Sequence, residues 1–234
     1  MTAVRVEEGP DKGAIWHFGQ PAQEQRMLAE GKAWADLSHL SIITVNGDDR
    51  IKWLHDLTTQ HLLNIESGDW LPAMILDHNG HVEYQFNLVD DGTTTFIVID
   101  PSFAEGLLAY LLKMRFMLKV DAADSSSEYA VLRAPGQPNE IGGPYALVPR
   151  GELDEMKKVF NENAKEVGTW SLDAERVAAG RPRHGVDTDH KTIPNEIGVL
   201  NKDVHMNKGC YRGQETVAKV FNLGAPPRRL VMLH

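Results

Sequence analysis

Residues 81–99 read HVEYQFNLVDDGTTTFIVI and carry the clearest strand signal in the chain. Apolar and polar residues alternate from Val82 to Leu88, and a period of two is typical of a half-buried strand. Asp91-Gly92 then favours a tight turn into a second apolar run. The stretch predicts a β-hairpin, and the segments on either side of it indicate the fold class.

Those flanking segments complete an α+β pattern. Residues 41–45 (SIITV) predict a buried strand, and Asp48 is a candidate N-cap for the helix that follows. Ser102 and Glu105 have the spacing of a capping box that opens another helix, and residues 117–120 predict a short strand after it. The order strand, helix, three strands, helix, strand resembles a ferredoxin-like α+β unit with one added strand.

The remainder of the chain predicts a second α/β domain. Residues 121–128 (DAADSSSE) are expected to be a polar linker, and two strands and two helices follow it. Residues 181–208 resemble a long loop, while the alternation in residues 215–223 favours a strand. The final residues 228–233 begin an apolar strand with nothing to pair with, so we expect a further C-terminal domain.

Composition excludes several classes of function. The chain has 234 residues and a net charge of −9, which argues against non-specific binding to nucleic acid. Its single cysteine rules out an internal disulfide framework. The N-terminal residues lack the pattern of a secretory signal, and no apolar run approaches the roughly 18 residues of a membrane helix. We expect a cytoplasmic protein without membrane or nucleic-acid partners.

The strongest candidate for chemistry is Cys210, within the run KGCYRGQE at residues 208–215. Lys208 and Arg212 lie two residues to either side, and nearby cations favour the thiolate. The flanking Gly209 and Gly213 suggest backbone that closely approaches another group. A buried, inert cysteine remains the alternative interpretation. One thiol cannot hold an iron–sulfur cluster, which needs about four cysteine ligands, so any role with clusters involves another protein.

Other polar residues give weaker signals. A zinc site is conceivable from four residues, but their spacing matches no known zinc pattern, so we predict no metal: Cys210, His205, His184 and His190. Asp36, Ser38 and His39 lie within four residues, which is more consistent with a turn than with a catalytic triad, because the members of a triad come from distant segments. Asp187 and Asp189 are either solvated loop charges or ligands for the polar edge of a heterocycle.

Residues 208–215 resemble the signature of the YgfZ family, K-G-C-[FY]-x-G-Q-E, and match it at every specified position. This family of folate-binding proteins is related to the T-protein of glycine cleavage. Three further segments are similar in the same order: DLSH at 36–39, VNGDD at 45–49 and AGRP at 179–182. The resemblance covers about residues 16–234.

The resemblance implies a ring-like, aminomethyltransferase-like architecture that accepts tetrahydrofolate. It also implies an accessory role in the assembly or repair of iron–sulfur enzymes, with iron–sulfur client proteins as partners. Lys208 and Cys210 match the family's functional lysine and cysteine. Five residues are candidates for binding the folate: Tyr211, Arg212, Gln214, Glu215 and Asp187.

The resemblance also implies an arrangement in three parts. Residues 36–122 would form the ferredoxin-like α+β domain. Residues 1–35 with 123–224 would form a second α+β domain that carries the cysteine. Residues 225–234 would begin a truncated C-terminal β-barrel, the rest of which is missing from the sequence.

Departures from the T-protein pattern bear on the reaction. Tyr84 and Gln85 stand where T-proteins have an aspartate pair needed for aminomethyl transfer, and Ala178 replaces the glutamate that grips the pterin. A folate-dependent aminomethyltransferase is therefore the alternative to the accessory protein. A non-catalytic binding module with a structural cysteine is a third interpretation.

Overall fold

The computed structural model describes residues 2–232. Within them lie six α-helices, in chain order α1 Pro21–Ala29, α2 Arg50–Leu57, α3 Pro101–Met114, α4 Leu153–Asn163, α5 Thr169–Ala178 and α6 Gln214–Leu223. The same residues form strands β1 Val4–Arg5, β2 Ile15–His17, β3 Ala33–Asp36, β4 Ser41–Asn46, β5 Trp70–Leu76, β6 Val82–Asp90, β7 Thr94–Ile99, β8 Asp121–Asp124, β9 Tyr129–Arg133, β10 Tyr145–Pro149 and β11 Lys165–Glu166. The predicted α+β class is confirmed.

The hairpin predicted from residues 81–99 is β6 and β7, at the centre of a five-stranded sheet ordered β5-β6-β7-β4-β8. Strands β5 and β6 are antiparallel and place Ala73 opposite Phe86 and Met74 opposite Gln85. A four-stranded sheet has the order β10-β9-β3-β11, and β1 pairs with β2. The predicted succession of strand, helix, three strands, helix and strand is present as β4-α2-β5-β6-β7-α3-β8.

One error in the sequence prediction concerns the last strand of this sheet. Residues 117–120 are turn, and the strand is β8, inside the segment expected to be a linker. Only Ala122 of β8 is buried, between exposed neighbours. The strand lies at the edge of the sheet, where polar side chains are common because one side of the strand is unpaired.

A second error concerns residues 215–223, which form α6 rather than a strand. Val217, Val220 and Phe221 have helical spacing, and Val217 is fully buried. Gly213 precedes the helix and Gly224 ends it, both with positive φ. A glycine in the left-handed conformation is a common helix stop, so Gly224 was the signal against a strand.

The predicted helix caps are also wrong in detail. The residue before α2 is Asp49 rather than Asp48, and its carboxylate accepts a hydrogen bond from the backbone of Lys119 instead of capping the helix. Ser102 lies inside α3, and its hydroxyl donates to Asp100 at 2.9 Å. The capping box is therefore absent at this position.

The described chain folds into two compact units. The first comprises residues 2–43, 98–108 and 123–179, and the second comprises residues 44–97, 109–122 and 180–232. In the first unit, Trp34 packs with Phe160 at 5.9 Å between ring centroids in an edge-on arrangement. The domain bounds predicted from the sequence stay a prediction.

The core of the second unit joins the strands of the hairpin to the segment around Cys210. Its buried members come from β5, β6, the long loop, the segment around Cys210 and α6, and they are Met74, Leu76, Val82, Ile197, Val199, Val204, Tyr211 and Val217. Contacts of this kind bury apolar area that stabilises the fold by roughly 25 cal/mol per Å². The long loop predicted at 181–208 is thus packed against the sheet rather than free.

Residues 228–232 belong to no strand, and Leu233 and His234 lie outside the described residues, so the predicted barrel is not tested. Arg228 bonds to the carboxylates of Asp189 and Glu196, and the amide of Leu230 donates to the Glu196 carbonyl. Across residues 2–232, none of the helices has the length and apolar character needed to span a bilayer.

Candidate functional site

Residues 208–213, here called the cysteine loop, begin with a buried lysine. The Lys208 ammonium donates to the carbonyl of Thr58 at 2.5 Å, to that of Gln60 at 3.1 Å and to that of His55. The His55 carbonyl lies in the last turn of α2, where helix carbonyls lack partners and a cation is favourable, and those of Thr58 and Gln60 lie in the segment that follows the helix. Burial lowers the pKa of Lys208 to about 8. The first residue of the loop therefore binds the end of α2 and the segment that follows it.

The next anchor of the cysteine loop is Tyr211. Its ring is buried in the core of the second unit, and the Lys208 ammonium lies 5.3 Å from the ring centroid. Burial raises the pKa of the Tyr211 hydroxyl to about 12. Tyr211, predicted to bind folate, is placed among the apolar residues that hold the loop in position.

Arg212 fixes the other end of the loop to the sheet. Its guanidinium donates to the Leu76 carbonyl and forms an ion pair with Glu83, and it lies 5.0 Å from the centroid of the Tyr110 ring. A planar guanidinium suits carboxylates and aromatic faces at once. The loop is therefore held by Lys208 on α2 and by Arg212 on β5 and β6.

Only one of the two glycines in the loop is required by close approach. Gly213 has φ +81°, and a Cβ there would lie 2.5 Å from the Asp77 carbonyl and 2.8 Å from the Gly80 Cα. No atom would lie within 4 Å of a Cβ at Gly209. The backbone contact predicted from the flanking glycines thus exists at Gly213.

Cys210 is exposed. The sequence predicted that Lys208 and Arg212 would surround the thiol with positive charge, but both cations bind oxygen atoms of other segments. Gln214 donates to the Lys208 carbonyl at 3.3 Å, and Glu215 is exposed in the first turn of α6. The arrangement presents an accessible thiol on a loop whose neighbours on both sides are anchored.

A carboxyl–amide pair lies elsewhere in the same unit and was missed by the sequence analysis. The Gln85 amide donates to the Asp203 carboxylate at 3.0 Å, and its oxygen accepts the His184 backbone N–H at 3.0 Å. Asp203 is buried, and burial raises the pKa of its carboxyl. The two residues are 118 positions apart, so no local pattern announces the pair.

The remaining predicted residues lie in the long loop, and Asp187 closes the turn whose His184 amide donates to Gln85. Asp187 accepts the backbone N–H of Arg183 at 2.9 Å within a turn of the long loop. Asp189, considered with it as a heterocycle ligand, is paired with Arg228. In the part of the chain that the structure describes, no group of three or more His, Cys, Asp or Glu residues could hold a metal ion.

Comparison with solved structures gives the fold. A crystal structure of aminomethyltransferase T of the glycine cleavage system from Bartonella henselae matches with a TM-score of 0.77. The match covers 94% of this chain and 72% of that chain at 14% identity. The predicted aminomethyltransferase-like fold is confirmed.

Comparison with curated sequences gives relatives. A chloroplastic protein of Arabidopsis thaliana named as a transferase is 21% identical over 264 residues, covering 96% of this chain and 61% of the relative. The mitochondrial iron–sulfur cluster assembly factor IBA57 homolog of Mycosarcoma maydis is 22% identical, covering 92% and 61%. An uncharacterized protein of Haemophilus influenzae is 24% identical, covering 83% and 70%.

This chain therefore spans about three fifths of the length of the first two relatives. No protein-family model matches it. The relatives agree with the resemblance read from residues 208–215, and the solved structure agrees with the expected fold. The chain is similar in sequence to these relatives and shares the fold of aminomethyltransferase T, in line with its resemblance to the YgfZ type.

Proposed function

We propose that this chain is a tetrahydrofolate-binding accessory protein for the assembly or repair of iron–sulfur enzymes, with Cys210 as its functional thiol. The observation that carries the proposal is the exposed Cys210 between two anchored residues. The name of the Mycosarcoma maydis relative supports the iron–sulfur role. We place the work in the cytoplasm, although the named plant and fungal relatives are chloroplastic and mitochondrial.

A single thiol sets what the site can do with a cluster. A thiolate is a ligand for iron, but one cysteine cannot house a cluster, which takes about four. Cys210 would therefore contribute one ligand, or one nucleophilic sulfur, to a cluster whose other ligands belong to a client protein. Lys208 and Arg212 act on this chemistry indirectly, because they hold the backbone on either side of the thiol.

Folate is the small molecule we propose for this protein. A pterin ring presents adjacent donors and an acceptor on one edge, and a buried carboxyl next to an amide offers the complementary set. Asp203 and Gln85 form such a pair, and a bound pterin edge would replace the hydrogen bond that now joins them. They would hold the pterin edge in place of the glutamate lost at Ala178. Arg212, Gln214 and Glu215 are polar residues that would complete the site, and Asp187 is a further candidate in the turn that contacts Gln85 through His184.

A defined test of the thiol uses a host that lacks its own relative of this chain. Wild type and Cys210→Ala are expressed at equal levels, and an iron–sulfur enzyme is assayed per amount of its protein. We expect Cys210→Ala to fall to the level of the empty host. Asn207→Ala, at an exposed neighbouring position, is the control and should match wild type. If Cys210→Ala restores the activity of the iron–sulfur enzyme as fully as wild type does, the role of the thiol is refuted.

A folate-dependent aminomethyltransferase is the second candidate. The fold of aminomethyltransferase T favours it, and Asp203 brings a carboxylate to within 3.0 Å of Gln85, which stands where the aspartate pair is expected. Tyr84 and Ala178 weigh against it. The assay is formation of methylene-tetrahydrofolate with purified glycine-cleavage partners, and turnover abolished by Asp203→Asn would establish this second candidate instead.

A further inference from the structure

An apolar tip protrudes from the second unit where α3 ends. Residues 112–119, here called the apolar tip, include Phe116 with 79% of its surface exposed and Met117 with 99% exposed. Leu112 and Leu118 are exposed as well. Exposed apolar residues that are scattered singly need no explanation, but a contiguous group of this size marks an interaction site.

The backbone of the tip adds a second observation. Phe116 has φ +47°, a left-handed conformation that bulky residues seldom adopt because the Cβ crowds the backbone. Folding gains no burial from this residue in return. Strain that packing does not explain is found mostly at functional positions.

The fold holds the base of the tip firmly. The Trp53 indole donates to the Met114 carbonyl at 3.1 Å, and the Lys119 amide donates to the Asp49 carboxylate at 2.8 Å. At Gly47, φ is +110° and a Cβ would lie 2.0 Å from the Lys119 carbonyl, so the two backbones touch. Both ends of the turn are thus fixed, while the side chains between them face solvent.

The charge around the tip indicates what it binds. Lys113, Arg115 and Lys119 are exposed beside the apolar residues, while two carboxylates lie close by, Asp121 paired with Arg115 and Asp49 at the Lys119 backbone, so the tip keeps an excess of positive charge. The chain as a whole carries a net charge of −9, which opposes its approach to an anionic lipid surface. Phenylalanine, methionine and arginine are enriched where proteins meet proteins.

We propose that the apolar tip docks a partner protein through a groove with an apolar floor and a rim of carboxylates. Phe116 and Met117 would fill the groove, and Lys113 and Lys119 would pair with the rim. The inference rests on the proposed function in one respect, because the partner we name is the client whose cluster is served. Met117 suits this role because its thioether side chain adapts to irregular surfaces.

The test places a photoreactive benzoylphenylalanine at position 117, and at position 223 as a matched exposed apolar control on α6. After irradiation in cells, the linked peptide is sequenced. We expect position 117 to crosslink and position 223 not to, and the linked partner segment to be rich in acidic and apolar residues. The yield of this adduct should fall at least tenfold when Lys113→Glu and Phe116→Asn are added. The proposal would be overturned by equal adducts at both positions, by an adduct whose yield these changes do not alter, or by no adduct.

Two further measurements separate the other outcomes. Asparagine tolerates positive φ, so Phe116→Asn should leave the Tm unchanged or slightly higher; a fall of more than about 4 °C would make Phe116 a structural residue. Co-sedimentation with vesicles of phosphatidylcholine and phosphatidylglycerol, lost in the same variant, would assign the tip to membranes instead. In the host assay, the tip variants are compared with Cys210→Ala. If the tip variants restore full activity while Cys210→Ala does not, docking is refuted and the proposed function stands. A wild type without rescue would refute the function, while the adduct still tests the tip.

Discussion

Replacing Lys208 by methionine tests the idea that this lysine anchors the cysteine loop to α2. The change keeps most of the apolar stem and removes an ammonium that donates to the carbonyls of His55, Thr58 and Gln60. Each buried acceptor that loses its partner costs roughly 1–3 kcal/mol. Relief from the desolvation of the ammonium offsets part of the total. We expect a net loss of about 3 kcal/mol in the free energy of unfolding.

The assay is chemical and thermal unfolding followed by circular dichroism. For a chain of this size, about 3 kcal/mol corresponds to a fall in Tm of roughly 6–12 °C. Lys202→Met is the matched control, since Lys202 lies in the same segment with its side chain exposed, and it should change stability by less than about 0.5 kcal/mol. If Lys208→Met behaves like Lys202→Met, the anchoring role is wrong.

Three other predictions concern Gly213, the buried carboxylate of Glu24 and the titration of Lys208. Gly213→Ala should lower the free energy of unfolding by about 2–4 kcal/mol, because the new Cβ meets backbone at a left-handed φ. Gly209→Ala, the control, should be nearly neutral. Equal effects of the two changes in a urea titration would contradict this prediction. Glu24→Ala should lower the free energy of unfolding by about 2–4 kcal/mol, because it removes the acceptor of three backbone amides. Gln23→Ala, the control, should leave stability unchanged. If Glu24→Ala is as stable as wild type, the role of these bonds is refuted. Burial holds the pKa of Lys208 at about 8 in the folded chain against 10.5 when free, so between these values the unfolded state binds more protons and stability rises with pH. Relative to Lys208→Met, wild type should gain about 1–2 kcal/mol across this window, and a flat or falling difference would exclude the shift.

The sequence predicted those parts of the fold that depend on local pattern. The alternation around Val82 and Leu88 is a property of neighbouring residues, and the strand forms as expected. The α6 segment was misread because Val217 and Phe221 fit both periods over so short a stretch, and only Gly224 distinguished the helix. Edge strand β8 was missed because its sequence is polar, and its partner strand supplies the backbone bonds that the composition does not announce.

The candidate site divides in the same way. Cys210 was found from a contiguous motif. The hydrogen-bond partners of the Lys208 ammonium could not be predicted, because they are backbone carbonyls about 150 residues away and carry no side-chain signal. The Gln85–Asp203 pair depends equally on contacts between distant segments. The sequence places Lys208 and Arg212 beside Cys210 and therefore predicted positive charge around the thiol. The prediction did not allow for oxygen atoms of other segments, which compete for both cations.

The most direct test of the account is calorimetry of tetrahydrofolate binding to the purified complete chain. We predict that wild type and Cys210→Ala bind alike, because the thiol acts on the cluster and not on the folate. Asp203→Asn should bind at least about tenfold more weakly, or about 1.4 kcal/mol, because the buried carboxyl is the proposed acceptor. An absence of binding by wild type, or equal binding by wild type and Asp203→Asn, would contradict the account.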